Sequence, residues 1–154
     1  MRWWCLAAIV VGGCGSSHSI NGDAGEQAAI GAEFVLQRGC GRCHDSVAGT
    51  LAGNDVAVVD TAAFPANLTP DRTTGIGGWA DEQIIRAFRY GIDNKDDELC
   101  PAMPRFSDIG DVEATAIVAY LRSLPPVMHE VTPSMCPPLK PLPSPDMAMP
   151  PTDM

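Results

Sequence analysis

Five consecutive residues carry the strongest chemical pattern in the chain: Cys40, Gly41, Arg42, Cys43 and His44. Two thiols three positions apart can each add to one vinyl group of a porphyrin, and the histidine beside the second is then aimed at the iron. The C-x-x-C-H spacing therefore reads as a c-type haem attachment signature. A C-x-x-C pair can also be half of a zinc site or a redox dithiol. Zinc would need a second close ligand pair, and Cys100 and Cys136 are far apart in sequence. A thioredoxin-like dithiol should follow a strand in a βαβ unit, a pattern this sequence lacks.

An iron held by histidine on one face needs a second ligand if it is to carry electrons without binding substrate, and a thioether raises the reduction potential. Of the methionines after His44, Met103 sits in Cys100-Pro101-Ala102-Met103-Pro104-Arg105-Phe106, whereas Met128, Met135, Met147, Met149 and Met154 lie in a proline-rich stretch. A lone methionine most often fills a core. The flanking prolines of Met103 fix its backbone, which makes it the candidate second ligand of the metal alongside His44.

These groups need elements to position them, and three helices are predicted. Over residues 26–39, Ile30 and Phe34 lie four apart with Gly31 as a bare patch beside them. Over 81–90, acids fill the first turn, Ile84, Ile85 and Phe88 form the apolar stripe, and Gly91 stops the run. Over 111–124, Ile117, Tyr120, Leu121 and Leu124 recur at helical spacing before Pro125 and Pro126. Ala80 stands where a Ser or Thr cap would be usual, which weakens the start of the second helix. About 40 residues between the first two helices are rich in Gly, Thr, Asn and Pro, too long for an ordinary loop in a compact domain. Something other than their own apolar core has to organise them.

The order of these elements resembles a class I c-type cytochrome, from about residue 26 to residue 127. In that family the first and last helices cross where a small residue meets an aromatic one, roles that Gly31, Phe34 and Tyr120 match. The segments Asn67-Leu68-Thr69-Pro70-Asp71 and Thr74-Gly75-Ile76-Gly77-Gly78-Trp79-Ala80-Asp81-Glu82 are similar to cytochrome c domains associated with bacterial membrane-bound dehydrogenases. The resemblance implies an all-α cytochrome c fold, three to four main helices wrapped around one covalently attached haem c, with long haem-covering loops. Leu51, Val56, Phe64, Leu68 and Ile76 would then bury against porphyrin. The resemblance also supports Trp79 packing beside the haem and donating its N–H to a propionate, against the plainer reading of a half-buried indole at a helix entrance. Arg72 reads as an exposed loop arginine.

Beyond this core the chain divides by composition. Residues 1–13, with Arg2, an apolar run over 3–11 and the small pair Gly12-Gly13, read as an export signal, and Val11-Gly12-Gly13-Cys14 resembles a lipobox that would place a lipid on Cys14. A short buried helix with an incidental cysteine is the competing reading. Residues 14–25 read as a flexible tether, 26–124 as the folded domain, and 125–154, which holds ten of the fourteen prolines, as an extended or disordered tail. Of the six cysteines, Cys5 leaves with the signal, Cys14 takes lipid, and Cys40 and Cys43 take haem. Cys100 and Cys136 remain, as a disulfide that staples the tail across the Met103 loop or as two free thiols.

Nineteen acids against ten bases give a formal charge of -9, which argues against nucleic acid. No apolar run approaches the roughly 18 to 20 residues of a membrane-spanning helix. The acidity either matches a redox partner with a basic docking patch or only keeps the protein soluble. The expected activity is single-electron transfer by a non-enzymatic carrier, in the periplasm or on the periplasmic face of a bacterial membrane, as a monomer or within a larger redox complex. A haem-based sensor in which a small gas displaces Met103 is the competing class. A single C-x-x-C-H does not support a dihaem peroxidase.

Overall fold

The computed structural model describes residues 24–46 and 49–136. Among these residues four helices form: α1 (Ala24–Arg38), α2 (Gly41–His44), α3 (Asp81–Tyr90) and α4 (Asp111–Ser123). Among the described residues the only β pairings are isolated bridges of Asp45 with Gly53 and of Ile92 with Glu98. The fold is all-α, as the resemblance implied. The leader, Cys14 and most of the tether lie outside the described residues, as does the tail beyond Cys136.

The frame of the domain is the crossing of α1 and α4. A Cβ placed on Gly31 would meet the Ala116 carbonyl and the Tyr120 Cβ, so only a glycine lets the two backbones come this close. On α1 the buried residues are Gly31 and Val35. Ile30 is 37% exposed, because the crossing centres on Gly31 and turns its neighbour toward solvent. Ala114, Ala116, Ile117, Val118 and Leu121 supply the buried face of α4. Arg38, in the last turn of α1, ties the two helices together. Its guanidinium donates to both carboxylate oxygens of Glu113, at 2.7 and 3.0 Å, and to Asp108 at 2.7 Å.

α3 starts at Asp81 without a side-chain cap at Ala80. Gln83 makes up part of the deficit, since its Oε1 accepts from the Ala80 N–H at 2.8 Å. The weakness expected from Ala80 is therefore half compensated from within the helix. Arg122 of α4 fixes the approach to α3, donating to the carbonyls of Ile76 and Trp79 and to the Asp81 carboxylate.

The long stretch between α2 and α3 has its own polar skeleton. Asp71 Oδ1 accepts from the backbones of Thr73 and Thr74 and from the Thr74 hydroxyl. Asn67 and Thr69, 2% and 0% exposed, bond to each other and to Thr74 and Val127. Leu51, buried at φ 51°, has its N–H taken by Asp45 and its carbonyl by the Leu68 N–H. These bonds hold a left-handed backbone conformation that costs a residue other than glycine about 1–2 kcal/mol.

Val56 departs from expectation. It is 71% exposed, because its N–H closes a turn onto the Asn54 side chain and the chain bends outward there. Val58, two residues on, faces inward instead. After α4 the chain is extended over residues 124–136 and runs back across the loops.

Candidate haem cavity

The site begins where α1 stops. Gly39 takes φ 72°, a left-handed value that suits glycine, and the N–H groups of Gly39 and Cys40 close onto Leu36 and Val35. The chain re-enters a helical turn as α2, with Cys40 at its N-cap and Cys43 and His44 within it, all three lining the interior. Both cysteines are free thiols. Burial pushes the Cys40 thiol up, away from the thiolate that a redox dithiol or a zinc ligand would need. Among the described residues no cluster of three or more His, Cys, Asp or Glu could hold a metal ion, which leaves the zinc reading without partners.

His44 is 8% exposed, and burial pushes its imidazole below the ordinary value, favouring the neutral ring. Its Nδ1 lies 2.7 Å from the Ala66 carbonyl. A carbonyl can only accept, so Nδ1 carries the proton and Nε2 keeps its lone pair free. A hydrogen bond of this kind fixes the ring's tautomer and orientation and strengthens it as a metal ligand.

α2 faces a cavity of about 600 Å³. Cys40, Cys43, His44, Met103 and Trp79 all line it, so these five are brought to one place, whereas Leu51, expected against the porphyrin, is buried but outside the lining. Its walls are mostly apolar, with Leu68, Ile76, Ile84, Phe88, Phe106 and Leu121 among them. Phe64 also lines the cavity, whereas Arg72 is exposed and stands apart. Trp79 is half-buried and packs against the core cluster.

Met103 comes from a turn closed by its own N–H onto the Cys100 carbonyl, 3.0 Å away. Two ties hold that loop: Phe106 N–H to Phe88 O at 2.9 Å, and a disulfide between Cys100 and Cys136, whose α-carbons are 5.4 Å apart. Two free thiols, an imidazole with an open nitrogen and a thioether on one apolar volume fit the group that the C-x-x-C-H motif implies. Two contributors had no role assigned from the sequence: the Ala66 carbonyl, and Asn67, which stood only as part of the Asn67-Leu68-Thr69-Pro70-Asp71 resemblance. The first is a backbone group, and the second bonds Val127 sixty positions on as well as its neighbours Thr69 and Thr74.

The sequence profile of the family described as cytochrome c oxidase, cbb3-type, subunit III matches residues 26–121. A subunit of the nicotinate dehydrogenase of Pseudomonas putida is 34% identical over 130 residues, 81% of this chain and 10% of that protein. The gluconate 2-dehydrogenase cytochrome c subunit of Pantoea cypripedii is 29% identical, over 83% of this chain and 29% of its own. The alcohol dehydrogenase (quinone) cytochrome c subunit of Gluconobacter oxydans is also 29% identical, over 84% and 27%. The chain thus spans less than a third of the length of these relatives.

Proposed function

Because the chain belongs to the cbb3-type subunit III family of cytochrome c domains, which carry haem and transfer electrons, we propose that it holds one haem c through Cys40 and Cys43 and serves a membrane-associated redox chain. His44 and Met103 would hold the iron in this reading. The observation that carries it is the convergence of both free thiols, His44 and Met103 on one apolar cavity. Bound there, the haem iron supplies a one-electron couple whose potential a thioether ligand raises. The chain's own part is to fix the imidazole through the Ala66 carbonyl, to present the thioether from a braced loop, and to exclude water with the apolar wall. Trp79 lines the cavity, and its indole N–H would be available to a haem propionate.

The names of the relatives favour a fixed place in a dehydrogenase complex over a free-standing carrier, since those proteins are described as its cytochrome subunits. Arg2, the apolar run over residues 3–11 and Cys14 support export with a lipid on Cys14, outside the described residues. Among the described residues no helix is long and apolar enough to cross a membrane. The acidic balance supports docking to a basic patch, with association that slows as salt rises.

The test is the absorption spectrum of protein produced with a c-type haem maturation system, followed by denaturing electrophoresis with haem staining. Haem should stay on the wild-type chain and be lost from the Cys40→Ser/Cys43→Ser variant. A low-spin spectrum with the weak red band of a Met–iron bond, insensitive to carbon monoxide, is expected. Haem that leaves the wild-type chain on denaturation would reject covalent attachment. A high-spin iron that binds carbon monoxide readily would reject the electron-carrier reading in favour of a ligand-binding one.

A further inference from the structure

Residues 127–136, after α4, touch both sides of the cavity. At their start the Asn67 amide donates to the carbonyls of Val127 at 2.8 Å and His129 at 3.4 Å, and also to Thr74 Oγ1. Asn67 Oδ1 accepts from the N–H and hydroxyl of Thr69, and that hydroxyl in turn accepts from the Val127 N–H. Asn67 is buried with both ends of its amide in use, and it directly follows Ala66, whose carbonyl holds His44 Nδ1. Further along, the Phe64 N–H donates to Ser134 Oγ and the Met135 N–H to the Ala62 carbonyl. The stretch then ends at Cys136, disulfide-bonded to Cys100 three residues before Met103.

The apolar anchorage of this strap is limited to Val127 and to Val131, which packs on Gly53, since Met128 and Met135 are each 80% exposed. Hydrogen bonds, the His129–Asp55 pair and one disulfide supply most of the rest, so it can open locally without unfolding the crossing of α1 and α4.

We propose that residues 127–136 hold the two axial walls of the cavity in register. Asn67 is the positioning residue of the His44 wall, and the bond between Cys100 and Cys136 positions the Met103 loop. The proposal rests on the reading of His44 and Met103 as axial ligands. Its physical content is that one wall can be loosened without the other. Freeing Cys100 releases the Met103 turn while Asn67 still braces Ala66. Removing the Asn67 donors releases the backbone next to Ala66 while the disulfide still braces Met103.

The experiment uses the full, haem-loaded chain as wild type, Cys100→Ser/Cys136→Ser and Asn67→Asp, the last keeping the acceptor oxygen but losing the amide donors. Hydrogen exchange is followed over residues 64–69 and 99–106, and ferric protein is titrated with imidazole, which competes with the thioether. The serine pair should raise imidazole affinity about tenfold and speed exchange over 99–106, leaving 64–69 as in wild type. Asn67→Asp should speed exchange over 64–69 and change imidazole affinity by less than about threefold. Equal acceleration of both segments in both variants would show a merely stabilising staple and overturn the proposal, as would no change in either. A wild-type spectrum without the red band would instead reject Met103 as ligand, and the two exchange patterns would still decide the role of the strap.

Discussion

Gly31 and Ala116 touch backbone to backbone where α1 crosses α4: a Cβ on Gly31 would stand 1.9 Å from the Ala116 carbonyl oxygen. The obstacle is main chain inside two helices, so it cannot swing away as a flexible side chain would. Gly31→Ala should destabilise the domain by about 2–3 kcal/mol through overpacking. Equilibrium denaturation of the haem-loaded protein checks this, as a lower midpoint with an unchanged slope.

Arg122 bridges α4 and the entrance of α3 through the carbonyls of Ile76 and Trp79. Arg122→Ala leaves the part-buried Trp79 carbonyl without its donor, while the Ile76 carbonyl keeps the Trp79 N–H at 3.1 Å, and should cost about 1–3 kcal/mol. Because Trp79 lines the cavity, its fluorescence should change in the folded variant as well. Unaltered stability and emission would remove Arg122 from the account of how Trp79 is held.

Met103→Ala should leave haem on the chain, because Cys40, Cys43 and His44 remain. Loss of the thioether should lower the reduction potential and open a coordination position. Potentiometry and carbon monoxide titration read both effects: binding goes from negligible in wild type to near one equivalent. An unchanged spectrum and potential would move the second ligand elsewhere.

His129 adds a pH dependence to the strap. Its Nδ1 meets the Ala52 carbonyl at 2.7 Å and its Nε2 meets Asp55 at 2.8 Å, two acceptors that together call for the doubly protonated ring. The Asp55 carboxylate, with help from the Ala52 carbonyl, raises His129 above its ordinary value, and His129 lowers Asp55. The raised histidine contributes stability that is complete below its unfolded value of about 6.5 and fades as pH climbs through the folded one. The lowered aspartate contributes above about 3.9 and fades as pH falls through its folded value. Protection of the strap amides, corrected for intrinsic exchange, should therefore be greatest between roughly pH 4 and 6.5 and decline above. Asp55→Asn should flatten the alkaline decline.

The parts of the site that rest on covalent or periodic features are legible in the sequence. Cys40, Cys43 and His44 sit in a contiguous motif, α3 and α4 follow apolar stripes, and Gly31 stands where the crossing needs a bare backbone. The pairing of Cys100 with Cys136 follows from cysteine arithmetic, with free thiols as the alternative. Other parts have no local signal. Ala66 contributes only a carbonyl, which any residue possesses. Asn67 stands in a segment that carries the family resemblance, but two of its acceptors, on Val127 and His129, lie about sixty positions on, so its tie to the chain after α4 has no local mark. The sequence points to Val56 as the inward valine and Val58 takes the place, because a turn closed by Asn54 sets which of the two faces the cavity. Composition alone leaves the loop between α2 and α3 to the cofactor, whereas Asn67, Thr69, Asp71 and Thr74 already give it a polar skeleton.

The crossing of α1 with α4 also bears on how fast the chain can fold. Its two sides lie on the order of 80 residues apart, and closing a loop that long costs about 4 kcal/mol of chain entropy beyond a constant. That cost falls on the search, since the contact rewards the chain only after the ends have met. Lengthening the loop has a small thermodynamic effect, about 0.6 kcal/mol for each doubling. The exposed turn around Asp60 is thus a place where the domain can accept inserted sequence with little loss of stability.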